Sequence, residues 1–108
     1  MDKRHYHVYV VLLEKKVREF KKVQELNPDG KPDMPCVYVG MTGLDPVERF
    51  RNHKAGYKSS GWVEKYGICL LPKLYEHLNP MEWKDAVEME KKLAEDLRSL
   101  GYTVLGGH

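Results

Sequence analysis

The stretch Cys36-Val37-Tyr38-Val39-Gly40-Met41, continuing as Thr42-Gly43-Leu44-Asp45-Pro46-Val47-Glu48-Arg49-Phe50, decides how the rest of the chain is read. Residues 36–41 are rich in β-branched and aromatic types, which suits a strand, with Gly40 near its end. Asp45 is placed to cap a helix. Pro46 takes the first helical position, where its missing N–H costs nothing, and Glu48 follows the cap by three residues, as in a capping box. The helix runs to about Ala55, and Gly56 supplies the stop. A strand that turns tightly into a proline-started helix is the unit around which the other elements must pack.

Upstream, Tyr6 to Leu13 (YHVYVVLL) reads as a second strand. Residues 14–35 are charged. Lys15, Lys16, Arg18, Lys21 and Lys22 alternate with Val17, Phe20 and Val23 before the turn signals Asn27-Pro28-Asp29-Gly30 and Lys31-Pro32-Asp33. This is either a hairpin arm or a short helix ending in a loop. Downstream, Ser59 to Tyr66 fits a short helical turn. Ile68 to Tyr75 fits a strand broken or edged by Pro72. Asn79-Pro80 opens the longest helix, about Met81 to Leu100, stopped by Gly101, and a short strand at Tyr102 to Leu105 precedes the Gly106-Gly107-His108 tail. No repeat, low-complexity tract or linker divides the chain. The expectation is one domain over 1–108 of the α/β (α+β) class, with a small, mostly antiparallel three-stranded sheet flanked by helices.

Composition narrows the function classes. At 108 residues there is room for one core, and 42% hydrophobic with 31% charged residues fits a globular, soluble chain. The longest apolar run, Val8 to Leu13, falls far short of the ~20 residues that span a bilayer, and no secretion signal is visible; a cytoplasmic location is expected. The net charge of +2 permits nucleic-acid binding only where cations cluster. Cys36 and Cys69 form no Cys-x-x-Cys pair and read as two buried thiols of a reducing compartment. A zinc-binding structural protein using Cys36, Cys69, His5 and His7 is the least favoured reading, because no ligand pair has zinc-finger spacing.

One residue does not fit its face. The apolar stripe of the last helix is Trp83, Ala86, Val87, Leu93, Ala94, Leu97 and Leu100, and Glu90 fills its one gap. A carboxylate facing a core is costly unless paired or bound to a metal. Glu90 is therefore a site candidate; the alternative is a helix-edge glutamate that turns to water or meets a core-side arginine. On the Asp45 helix, Val47 and Phe50 are expected to face the core, and Arg49 and His53 share a face. Arg49, Arg51, Lys54 and Lys58, with His53, form a patch without an acid, suited to phosphate or simply to solvent. Tyr9 and Tyr38 lie on the two central strands. Strand tyrosines usually pack, but Tyr9 shares the more polar face with His5 and His7.

Taken together, these residues resemble the GIY-YIG nuclease family. His7-Val8-Tyr9 stands where the family has Gly-Ile-Tyr, and Tyr38-Val39-Gly40 stands for Tyr-Ile-Gly. Thr42, Arg49, and His53 one turn later, follow as in the family's arginine helix, and Glu90 falls at the family's metal-binding glutamate. The resemblance covers roughly Tyr6 to Thr103. Three departures stand out: His7 replaces the first glycine, residues 14–35 are inserted between the tyrosine strands, and Tyr102 and Thr103 stand about where the family has an asparagine. The only later polar side chain is that of His108.

The resemblance implies a metal-dependent endonuclease acting on DNA. Its catalytic residues would be Tyr9, Tyr38, Arg49, His53 and Glu90, with Arg51, Lys54, Lys58 and Thr42 on the nucleic acid. Glu90 would anchor Mg²⁺ or Mn²⁺, since one carboxylate with waters and a substrate phosphate suits an ion that keeps its hydration shell. Arg49 would hold the phosphate. Tyr9 would take the proton of the attacking water as a phenolate, which requires about 4 kcal/mol of electrostatic help to act near pH 7. His53 could also be the base, and the choice stays open. Single-stranded or structured DNA is the more natural target for a monomer or homodimer this small, with no small-molecule cofactor. The competing class is a non-catalytic module that binds nucleic acid or a partner and has kept the fold.

Overall fold

A computed structural model describes residues 3–107; Met1, Asp2 and His108 lie outside the described residues. The sheet has four strands in the order β3-β1-β2-β4. β1 (His7–Leu13) and β2 (Cys36–Thr42) form its antiparallel centre, with Tyr9 opposite Gly40 and Val11 opposite Tyr38. β3 (Gly67–Leu70) lies antiparallel to the outer side of β1, and β4 (Thr103–Gly106) lies parallel to β2.

The sheet is thus mixed and four-stranded, not a mostly antiparallel three-stranded one. The reason is the long crossover between β2 and β4, which carries the chain back to the end where β2 began. A parallel partner needs such a connection.

β3 also ends sooner than the expected Ile68–Tyr75 strand. Pro72 lacks the N–H that a ladder requires, and the chain turns into two 3-10 turns, Pro72–Leu74 and Glu76–Leu78.

Among the described residues four α-helices accompany the sheet: α1 (Lys21–Leu26), α2 (Pro46–Lys54), α3 (Gly61–Tyr66) and α4 (Trp83–Ser99). The Asp45 carboxylate accepts from the Val47 N–H at 2.9 Å, so the expected cap forms, with Pro46 behind it. α4 begins at Trp83 instead of Met81. Met81 is engaged in a two-way bridge with Tyr6, at 2.9 Å in each direction, which leaves it unable to join the helix.

The 14–35 segment takes the second of its two expected forms, a short helix and loop. A 3-10 turn, Lys15–Glu19, leads into α1, and Val17 and Val23 are fully buried in the main core.

Three apolar residues expected inside lie largely outside: Trp83 and Leu100 at the two ends of the α4 stripe, and Val47 in the first turn of α2. Trp83 and Leu100 stand at the first residue and the C-cap of the helix, where the buried face has run out. In α2 the inward positions are Pro46 and His53, not Val47. Cys69 is exposed, against the expectation of two buried thiols, because it sits on the short edge strand; Cys36 is buried. Among the described residues no helix is long and apolar enough to cross a membrane.

Asn27 fastens the inserted segment to the far strand. Its amide donates to the Val23 and Val104 carbonyls at 3.0 Å each, and its Oδ1 accepts from Val104 N–H at 2.8 Å and Arg98 Nε at 3.2 Å. Removing it strands buried donors and acceptors. Asn27→Ala is expected to lower unfolding stability by about 2 kcal/mol, as read from the denaturant midpoint. A neutral substitution would show that the segment is held by Val17, Val23 and backbone contacts such as Lys31 N–H to the Gly101 carbonyl.

Candidate active site

The site is built where β1, β2, α2, α3 and α4 meet. Strand alternation puts Tyr9 of β1 and Tyr38 of β2 on one face. Tyr9 is almost wholly buried, and its ring lies across Gly40. A Cβ added there would stand 2.5 Å from Tyr9 Oη and 2.6 Å from Cζ. Gly40 therefore makes room for the phenol. Tyr9, Tyr38 and His53 form a triangle, with ring centroids 6.4 Å apart for Tyr9 and Tyr38, 6.0 Å for Tyr9 and His53, and 5.9 Å for Tyr38 and His53.

His53, at 1% exposure, holds the centre of this arrangement. Its Nδ1 accepts the backbone N–H of Ser60, the N-cap of α3, at 3.0 Å. A neutral imidazole has one N–H, so Nε2 carries the proton and donates to Tyr9 Oη, 2.8 Å away. Both ring nitrogens are occupied. Burial, and the Arg49 charge after it, hold the imidazole down at about 4, so it is neutral at pH 7. The imidazole thus serves Tyr9 as a donor and has no free basic nitrogen in this arrangement.

The phenols move the other way. Desolvation, then the neighbouring Tyr38, push Tyr9 well above its ordinary value; the Arg49 charge and a hydrogen bond from it pull against this, and Glu90 adds to the rise. Tyr38 is raised mainly by burial, against a lowering hydrogen bond with Ser60. Tyr9 and Tyr38 therefore keep their protons at pH 7.

Arg49 is braced from outside. Its guanidinium donates to the carbonyls of Lys58 at 2.8 Å and Tyr57 at 3.4 Å. Glu90 is 7% exposed on the inner side of α4, the acid whose charge both tyrosines feel. Among the described residues no group of three or more His, Cys, Asp and Glu side chains converges, so Cys36, Cys69, His5 and His7 make no zinc site. A cation beside Glu90 would rest on one carboxylate with water and phosphate, which Mg²⁺ tolerates and zinc does not.

Tyr9, Tyr38 and His53 are thus brought together, and the charges of Arg49 and Glu90 both act on the two phenols. The expected nucleic-acid residues are spread more widely. Arg51 and Lys58 are exposed. Lys54 Nζ donates to the carbonyls of Glu64 and Gly67, both at 3.0 Å, and so tethers the end of α3. Thr42 is buried, its Oγ1 accepting the Leu44 N–H in the turn before α2.

Two contributors were not read from the sequence. Ser60 meets His53 through its backbone N–H, which leaves no signal in the sequence, and Tyr38 through its side chain, a hydroxyl common at helix N-caps. Gly106, at φ 77°, lies where a Cβ would come within 3.0 Å of the Tyr38 ring. Only the glycine pair in the C-terminal tail could have drawn notice to it.

His53 binds fewer protons folded than unfolded between about pH 4 and its ordinary 6.5. Stability therefore rises with pH across that window, is fully present above it, and is lost as pH falls through it, by up to about 3 kcal/mol. Urea titrations at pH 7, 5.5 and 4.5 should show this loss in the wild type and a flatter profile in His53→Gln. A second expectation concerns packing: Gly40→Ala should displace the Tyr9 ring, seen as a change in near-ultraviolet circular dichroism with the fold kept. No family model matches the chain, and neither does any curated protein or solved structure compared with it.

Proposed function

We propose that the protein is a metal-dependent endonuclease that hydrolyses phosphodiester bonds in DNA, with the residue roles of a GIY-YIG nuclease. The observation that carries this reading is the buried hydrogen bond from His53 Nε2 to Tyr9 Oη, at 2.8 Å, with Arg49 and Glu90 in electrostatic reach of the same phenol. Such a concentration of opposed charges and desolvated rings is not needed for packing, and perturbed ionisations of this kind cluster at functional sites.

Each residue has a task under this reading. Arg49 holds the scissile phosphate and favours an oxyanion at Tyr9. Tyr9 Oη takes the proton of the attacking water. The acceptor is the Tyr9 phenolate, which becomes a phenol on taking that proton; His53 stays neutral and stabilises the phenolate before the transfer by donating to it. This separates the two candidate bases: Tyr9 is the proton acceptor, and His53 positions it. Tyr38 orients the phosphate beside them. Glu90 would hold Mg²⁺ or Mn²⁺, which supplies charge neutralisation for the phosphate and the leaving oxygen. Because burial raises Tyr9 above an ordinary phenol, the phosphate-bound state must lower it by more than the roughly 4 kcal/mol an exposed tyrosine would need.

The test is cleavage of labelled single- and double-stranded DNA with Mg²⁺ or Mn²⁺. Tyr9→Phe, Arg49→Ala and Glu90→Gln should each lose about 100-fold or more in kcat while staying folded, and EDTA should stop the wild type. A deprotonated Tyr9 is the active form, so kcat/KM should climb with pH well beyond 8 and show no step near 6 to 7, where a histidine base would titrate. DNA binding without cleavage under either metal would replace this reading with the non-catalytic module.

A further inference from the structure

The inserted segment brings an aromatic residue to a place that the core does not use. Phe20, between the 3-10 turn and α1, is 41% exposed, and it meets two rings of α3. Its centroid is 5.3 Å from that of Trp62, edge to face, and 5.8 Å from that of Tyr66; Trp62 and Tyr66 are 5.9 Å apart. Together with Gly61 and Lys65 they line an open pocket of about 260 Å³. Sites that enclose a whole small molecule are usually larger, about 300–1,000 Å³. This one has room for a single flat ring.

Two lysines stand at the pocket, with Glu14 and Glu19 on the same segment as Phe20. Lys65 lines it, and Lys16 lies over the Tyr66 ring at 5.6 Å while keeping only a long, 3.8 Å approach to Glu14. Lys15, Lys21 and Lys22 are exposed on the same short segment as Phe20. The nearby Glu64 accepts from Ser59 Oγ at 2.8 Å. The pocket is also next to the active site along the chain. Gly61 lines it, while the preceding residue, Ser60, donates its N–H to His53.

We infer that Phe20, Trp62 and Tyr66 form a cradle that stacks one unpaired base of a single-stranded DNA segment, with Lys16 and Lys65 on its flanking phosphates. A base offers a π-face that aromatic side chains stack on without regard to its identity, and its phosphates carry the charge the lysines seek. A proline-rich peptide would use the rings but gives the lysines nothing to bind. The inference rests on the nuclease reading for its ligand class and assigns that enzyme a substrate with a frayed, looped or single strand. It gives the inserted segment a part in substrate choice.

Tryptophan fluorescence tests it without any chemistry. Trp83→Phe removes the only other tryptophan, an exposed one, and leaves Trp62 as the reporter. Titration with an oligo(dT) in EDTA should quench Trp62 saturably, and a blunt duplex of equal length should not. Phe20→Ala should weaken oligo(dT) binding about tenfold, the loss of one stacking partner. Lys65→Glu, on the exposed end of α3, should weaken it and flatten its salt dependence.

Absence of saturable quenching, equal affinity in Phe20→Ala and Lys65→Glu, or quenching by a proline-rich peptide in place of the oligonucleotide would each overturn the cradle. The two readings fail separately. A chain that cleaves DNA but shows no quenching loses the cradle. A chain that quenches normally but cleaves nothing keeps it and loses the nuclease reading.

Discussion

One buried imidazole organises the structure. His53 accepts from Ser60, the N-cap of α3, and donates to the phenol in the middle of β1, so it joins three elements through two hydrogen bonds. That arrangement works only with a neutral ring. Burial and Arg49 both oppose a second proton, and the same burial keeps the Tyr9 phenol protonated. Desolvation therefore acts on the two partners in complementary ways. It keeps the ring neutral, and the Ser60 N–H on Nδ1 then leaves the hydrogen to Nε2, which sets the direction of the bond.

The rest of the core is arranged to let that bond form. Gly40 leaves the space that the Tyr9 ring fills, Arg49 is braced by two loop carbonyls, and Lys54 ties α2 to the end of α3. Each of these contacts sits outside the ring cluster but fixes an element that enters it. Moving α2 relative to α3 would break the His53 contacts at once, which couples the stability of a small helix pair to the electrostatics at the phenol.

The sequence was most legible where chemistry and periodicity disagree. Glu90 stood out because it interrupts an apolar stripe, and it is indeed buried; Asp45 and Pro46 announced a helix start, and the cap is there. What escaped was non-local or carried by the backbone. Nothing in residues 102–105 shows that they pair parallel to β2, because register between distant segments depends on the whole crossover. The Ser60 N–H is a group every residue but proline possesses. Trp83 and Leu100 lie outside for a related reason: a hydrophobic pattern tells which residues share a face but not where along the helix the buried face ends. The aromatic trio was hidden because Phe20 is far in sequence from Trp62 and Tyr66.

The parallel pairing of β4 has a consequence for how the molecule comes into being. β4 occupies the far edge of the sheet, beside a strand completed more than sixty residues earlier, and Asn27 reaches across the same gap to hold Val104. Contacts of such long sequence separation form late, because the entropy of closing the loop precedes any reward. Glu90 and the Tyr38-facing Gly106 belong to this last-arriving part. A chain still emerging from the ribosome would hold the first tyrosine strands and α2 before the Glu90 carboxylate joins them, so the charge constellation is assembled in two stages, its acid last.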